Sequence, residues 1–393
     1  MSARPTFELN PAAAAAHDVL IRGSGPVGAC LALALAHQGL KAALLGTAAA
    51  AASAATLATT SARPDLRAYA LNAASVELLQ QLRVWDGLPA GAATPVQDMR
   101  VHGDAGGALE FSAWQQCVPA LAWIVDAGAL DAALATALRY APNVTRVTQP
   151  VAAALHAVCE GRDSATRAAL GVQFERHPYE HHAVAAWLRS DRPHQGTAWQ
   201  WFRSPEVLAL LPFDHAADGC GYGLVWSQPS RPAQDWLQAE PAEFEAALME
   251  ATGGAAGALK LVSERAAWPL QAGRADRWCG DGWVLLGDAA HAVHPLAGQG
   301  LNLGLGDVIS LSRVLQAARE QQPWRSLGDA RTLRRYVRER AAPTLAISGM
   351  GDSLWHLFAQ PAAPLQELRN RGMSLVNQIT PLKRWLADRA LGH

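Results

Sequence analysis

The chain has 393 residues, half of them apolar and 17% charged, with 33 basic and 34 acidic side chains for a formal net charge of −1. That length exceeds one ordinary core and predicts two interleaved domains. The balanced charge lacks the basic excess that would draw the protein to nucleic acid. Five cysteines, Cys30, Cys117, Cys159, Cys220 and Cys279, form no C-x-x-C pair. That pattern argues for reduced thiols in a cytoplasm and against a disulfide framework or a zinc site.

Residues 1–16 read as a flexible tail: Glu8 comes early and no continuous apolar run follows, so this is not a secretory signal. Nowhere does the chain approach the ~20 apolar residues of a membrane span. Fourteen tryptophans outnumber the seven phenylalanines and five tyrosines together; they line a cavity or fill a crowded core.

Order begins at His17. Val19–Ile21 read as a strand, Gly23, Gly25 and Gly28 supply G-x-G-x-x-G, Ala29–His37 are helical, and Ala42–Leu45 form a second strand. The glycine pattern alone is weak, but a complete βαβ unit of about 30 residues gives it meaning as a dinucleotide turn. Gly23 permits the tight turn, Gly25 the approach of a pyrophosphate, and Gly28 close helix–strand packing, while the helix start offers N–H groups to phosphate. The acid that usually ends the second strand is replaced by Gly46, followed by an alanine-rich low-complexity run.

Further on, Arg67–Ala70 suit a strand and Ala73–Leu82 a helix, with a hairpin across Gly103–Gly107. The 120–141 segment reads as strand then helix. A buried strand ends at Glu160-Gly161, before a helical turn holding Ser164 and Arg167. From 196 to 226 the pattern is strand-rich, and alternation sets Trp199 and Trp201 on one face, opposite Gln200 and Phe202. After Asp307 the chain is mostly helical. His291 and His294 lack an acidic third ligand, and Pro178 breaks the helical spacing of His177 and His181 in RHPYEHH, which reads as a surface turn; no metal is expected.

The densest signal is WVLLGDAAHAVHPLAGQGLNLGLGD, residues 283–307: a strand, an acid at its end, a Pro-Gly loop and a helix start. Together with GSGPVG, RAYAL and CEGRDSATR, this motif resembles the flavin-dependent aromatic hydroxylases, and most closely their ubiquinone-biosynthesis branch. The resemblance runs from 17 to about 385.

It implies an α/β fold: a Rossmann-type FAD-binding domain (17–100, 121–170 and 271–340) interleaved with a β-sheet substrate domain (101–120 and 171–270), with C-terminal helices in 341–393. It implies FAD as cofactor, NAD(P)H as co-substrate, and O2 passing as hydroxyl to an aromatic ring through a flavin C4a-hydroperoxide. The leading substrate class is a prenylated phenol. The residues matched to FAD are Gly23, Gly25, Pro26, Val27, Gly28, Arg67, Gly287, Asp288, Pro295, Gly298, Gln299, Gly300, Leu301 and Asn302. Within this set Asp288 would accept hydrogen bonds from the ribityl hydroxyls. The helix starting near Leu301 would aim its positive end at the anionic edge of the reduced ring, and the Pro295 carbonyl would contact the hydroperoxide. Glu160, Gly161, Ser164 and Arg167 match the family's Asp-Gly motif. Trp199 and Trp201 are either substrate contacts or ordinary sheet core.

The departures fall on the adenosine and pyrophosphate side. Gly46 replaces the acid, Gly128 and Asp131 stand where relatives commonly carry Arg and Gln, and 144–160 is too short for the inserted β-meander of relatives. They leave open a weakly flavinated or non-catalytic accessory subunit of a ubiquinone-biosynthetic assembly, or a hydroxylase of a soluble phenol. The expected location is cytoplasmic, or peripheral to the inner face of the membrane. In the latter case the C-terminal surface with Arg369, Arg371, Lys383 and Arg384 docks on membrane or partner.

Overall fold

The computed structural model describes residues 16–46, 65–104, 106–214, 218–293 and 299–359. The chain opens with β1 (His17–Arg22), α1 (Pro26–His37) and β2 (Ala42–Leu45). Pro26 sits in the first turn of α1, where its missing N–H costs nothing. The helix is buried from Gly28 through Ala36, so its uniformly apolar sequence has no solvent face to mark. Next come β3 (Ala68–Leu71), α2 (Ala73–Gln81), β4 (Ala93–Val96), β5 (Asp98–His102), β6 (Ala108–Ser112), the one-turn α3 (Ala113–Gln116) and β7 (Ala122–Asp126). Then follow α4 (Ala127–Tyr140), β8 (Val144–Val147), β9 (Ala153–Val158) and α5 (Ala165–Ala169). Asn72, Asp126 and Ser164 cap α2, α4 and α5, each accepting from a first-turn N–H.

The central part is β10 (Phe174–Ser190), β11 (Thr197–Arg203), β12 (Glu206–Pro212), β13 (Gly221–Pro229), α6 (Ser230–Gln238) and α7 (Pro241–Thr252). The chain returns through β14 (Leu259–Leu261), β15 (Ala266–Ala275), β16 (Cys279–Gly280), β17 (Trp283–Leu285) and β18 (His291–Ala292). It continues as α8 (Gln299–Gln321) and α9 (Ala330–Ala359). Residues 360–393, and with them Arg369, Arg371, Lys383 and Arg384, lie outside the described residues.

Three sheets result. The first has the order β16-β17-β9-β1-β2-β8 and is parallel except at β16. The second runs β18-β15-β10-β13-β12-β11-β5-β6, with β14 also on β10; the third is β3-β7-β4. The carboxyl ends of β1, β2, β9 and β17 lead into Gly23, Gly46, Glu160 and Gly287, the place where open parallel sheets bind ligands. One core packs α1, α2, α4 and α8 on the first sheet. Another packs α6 and α7 on the far face of the large sheet.

One local expectation needs correction. RHPYEHH is no surface turn: it lies inside β10, where the register with β15 shifts between Pro178 and His182, and Glu180 takes φ 53°. Its proline is tolerated because a bulge interrupts the ladder there. The late helix, expected to begin near Leu301, is described from Gln299 onward.

Candidate functional site

A single cavity of about 1480 Å³ runs from the Gly23–Val27 turn to the near face of the large sheet. That exceeds the roughly 300–1,000 Å³ of an ordinary small-molecule pocket and leaves room for a dinucleotide beside a second ligand.

The glycine turn forms one end. Gly23 has φ 105°, and a Cβ there would lie 2.3 Å from the Cys159 carbonyl oxygen. A Cβ on Gly28 would come within 1.9 Å of the Gly23 oxygen, whereas one on Gly25 would meet nothing within 4 Å. Gly23 and Gly28 are thus required by packing, and Gly25 opens onto the cavity. The first bond of α1 runs from Ala29 N to Gly25 O (2.9 Å), and no side chain caps the helix. The N–H groups of Val27 and Gly28, in the first turn, therefore have no partner within the helix. Around this end stand Gly46, Asp131 and Arg146. Burial, opposed by Arg67, raises the Asp131 carboxyl above its ordinary range.

The 283–307 motif builds the middle. Leu286 is still extended, Gly287 turns at φ 56°, and Asp288 sits in a single 3-10 turn bordering the cavity. Burial pushes its carboxyl up, against the opposing pull of His291 and Arg162. Gln299, Gly300, Leu301 and Asn302, the first turn of α8, border the same space. The Asn302 side chain is committed within the protein: its Oδ1 accepts from Asn72 N (3.0 Å) and Ser75 Oγ (2.8 Å), and its Nδ2 donates to Ala70 O (2.7 Å). It pins the start of α8 to β3 and α2. Pro295 and Gly298 lie outside the described residues.

Behind this turn is a buried ionic group that sequence reasoning did not assign. Asp307, fully buried, accepts from Gly287 N (2.9 Å), His291 Nε2 (2.7 Å) and Arg340 Nε (2.7 Å). Burial alone would raise its carboxyl, but His291 and Arg340 together hold it below the usual carboxylate range. The only sequence signal was an acid inside an otherwise apolar helical run.

The Asp-Gly-like segment divides its labour. Glu160, Gly161 and Arg162 border the cavity. Glu160 accepts from Ser164 Oγ (2.7 Å), Thr166 N (3.0 Å) and Thr166 Oγ1 (2.7 Å). Ser164 and Arg167 face inward: Arg167 donates to Ala289 O (3.0 Å) and Arg162 O (2.6 Å), tying α5 to the Asp288 turn. Arg67 borders the cavity, but its guanidinium is held by Asp65 through Nε (2.9 and 3.1 Å) and Nη2.

The far wall is the near face of the large sheet, with Ala183, Ala185, Ala209 and Val225 beside Gln200 and Ser227. The expectation for Trp201 is corrected here: it does not border the cavity. Trp199 touches it, but both indoles lie on the opposite face, stacked at 5.7 Å and joined by His102. Alternation separates the two faces correctly. The far face is the one that α6 and α7 cover, so the large rings bury there and the small side chains leave the near face open.

The FAD binding domain family matches residues 16–118 and 136–346 of the chain. The 3-demethoxyubiquinol 3-hydroxylase of Escherichia coli (strain K12) is 31% identical, over 95% of this chain and 98% of its own. The ubiquinone hydroxylase UbiL of Rhodospirillum rubrum is 30% identical, over 95% and 89%. Among solved structures, p-nitrophenol 4-monooxygenase PnpA from Pseudomonas putida shares the fold at a TM-score of 0.73, with 16% identity over 96% and 98% of the two chains. An uncapped glycine turn, open space at Gly25 and a half-buried acid near a helix start fit a flavin dinucleotide, with Asp131 a discordant charge among the described residues. The chain belongs to the FAD-dependent aromatic hydroxylases, flavoprotein monooxygenases, and within them to the ubiquinone-biosynthesis hydroxylase branch.

Proposed function

We propose that the protein uses FAD, NAD(P)H and O2 to hydroxylate a neutral prenylated phenol of ubiquinone biosynthesis. The observation that carries this reading is the composition of the cavity wall: among the described residues, the large sheet contributes no charged side chain to it. A substrate carboxylate would be buried there without a partner, at a cost of several kcal/mol. An uncharged ring with an apolar tail meets only apolar and neutral polar groups. The names of the relatives point the same way.

Bound FAD supplies the redox and oxygen-activating chemistry. In this reading the N–H groups opening α1 take the pyrophosphate, the Asp288 carboxylate accepts hydrogen bonds from the ribityl chain, and the start of α8 places positive potential at the ring. The alanine-rich wall holds the substrate ring against it and excludes water. A prenylated substrate resides in a bilayer. Among the described residues no helix is long and apolar enough to cross one; we place the protein's encounter with its substrate at the inner membrane face.

The test is spectroscopic and catalytic. Purified protein, reconstituted with FAD, should show flavin bands near stoichiometry. NADH or NADPH oxidation should rise on adding a prenylphenol, with one oxygen gained in the product by mass spectrometry. Failure to take up FAD would favour the accessory-subunit reading, and stimulation by carboxylated phenols alone would favour a soluble substrate.

A further inference from the structure

Among the described residues, the near face of the large sheet carries a hydroxyl that no other group uses. Ser227 is 5% exposed, lines the cavity, and its hydroxyl has no hydrogen-bond partner among the described residues. Its cross-strand neighbours are Ala183 on β10 and Val207 on β12, and the next residue on its own face is Val225. None of these side chains can donate or accept. The backbone groups around Ser227 belong to a sheet interior, paired with a strand on each side. A buried hydroxyl left unpaired is destabilising, and an alanine there would avoid that cost without altering the strand.

We propose that Ser227 is the substrate-anchoring residue of the wall, hydrogen-bonding an uncharged ring oxygen of the bound phenol. Three observations fix the chemistry of the group it takes. A hydroxyl both donates and accepts, so it matches another hydroxyl or a carbonyl oxygen equally well. The absence of any cation among the described large-sheet residues of the wall rules against a carboxylate in that position. Finally, Ala183 and Ala185 on one flanking strand, with Ala209 on the other, leave the depth a ring needs to lie flat on the sheet. The role assigned is specificity: Ser227 distinguishes an oxygenated ring from the same ring without its oxygen, and fixes which carbon faces the flavin. This inference rests on the hydroxylase reading above and adds the group that orients the substrate.

The experiment uses the full-length FAD-loaded protein with two probes, 2-prenylphenol and prenylbenzene, in calorimetric titrations and in turnover. Wild type should bind the phenol roughly 10-fold more tightly than prenylbenzene, the equivalent of one satisfied buried hydrogen bond. Ser227→Ala should lose that preference and release more NAD(P)H oxidation as peroxide per hydroxylated product. Ser227→Thr, which restores the hydroxyl on a strand-compatible side chain, should recover both. Equal FAD content in the three proteins separates a substrate effect from misfolding. A preference kept by Ser227→Ala overturns the proposal while leaving the hydroxylase reading intact. If wild type oxidises neither probe nor any other prenylated phenol, the hydroxylase reading itself falls, and the anchor with it.

Discussion

At the scale of single residues, two acids in the 283–307 motif have opposite environments and opposite consequences. Asp288 faces the cavity and its carboxyl is raised by burial, so ionising it is costly until hydroxyl donors arrive. Asp288→Ala should weaken FAD binding by roughly 10- to 100-fold, the loss of one or more charge-assisted hydrogen bonds. Fluorescence titration of the apoprotein with FAD checks this, and an unchanged affinity would remove Asp288 from the ribityl site. Asp307 is the structural counterpart, committed to Gly287, His291 and Arg340. Asp307→Asn leaves Arg340 without its charge partner and should cost about 3 kcal/mol, read as a lower urea midpoint. Its carboxyl is depressed in the folded state, so its stabilisation is complete above the unfolded value of about 3.9 and disappears as pH falls through the lower folded value. The variant should therefore unfold less steeply than wild type over that acid range. Of these two placements only that of Asp288, just past a strand end and bordering the cavity, is legible in sequence. The partners of Asp307 come from a turn before its helix and from the following helix, and nothing local announces them.

At the scale of elements, the site depends on how closely helix starts approach the first sheet. A Cβ on Gly304 would lie 2.6 Å from Val27 Cγ2 and 3.5 Å from Gly287 Cα. Gly304→Val should push α8 away from the α1 turn, destabilising the fold by about 1–3 kcal/mol and weakening FAD binding together; a denaturation midpoint equal to wild type would show that α8 has slack there. The first turns of α4 carry the opposite kind of feature. Asp131 points a carboxylate at the cavity where the phosphates would lie, and burial raises its pKa. Its repulsion operates when it is ionised, above that raised pKa, and fades as pH falls. Asp131→Gln should tighten FAD several-fold near neutrality and progressively less on acidification, measured by titration across pH. An advantage independent of pH would mean that charge is not the cause. Element by element, the βαβ unit, the 103–107 hairpin and the late strand–turn–helix are all readable, because each is written in local periodicity and glycine placement. The face that Trp199 and Trp201 occupy is not, since alternation defines two faces and only α6 and α7, more than 25 residues downstream, decide which of them is covered.

At the scale of the whole molecule, the cavity is assembled from pieces that the chain visits in separate passes: the α1 turn, the Arg67 strand, the Glu160 turn, the large sheet, and finally Asp288 with the start of α8. The Glu160 turn crosses from the six-stranded to the large sheet, from β9 to β10. The 283–307 motif makes such a crossing within a few residues, with β17 in one sheet and β18 in the other. A ligand filling this space touches both sheets at once and binds only the native arrangement, so its binding free energy adds to the stability of the fold. At a FAD concentration 100 times the dissociation constant the gain is about 2.7 kcal/mol. At this chain length that corresponds to a rise in Tm on the order of 3–5 °C. Differential scanning fluorimetry of apoprotein against increasing FAD should show one cooperative transition moving upward as a whole. Asp288→Ala should need 10- to 100-fold more FAD for the same rise. If instead the transition splits, with one part following FAD and the other indifferent to it, the two sheets unfold independently, and the cavity between them is not the element that couples them.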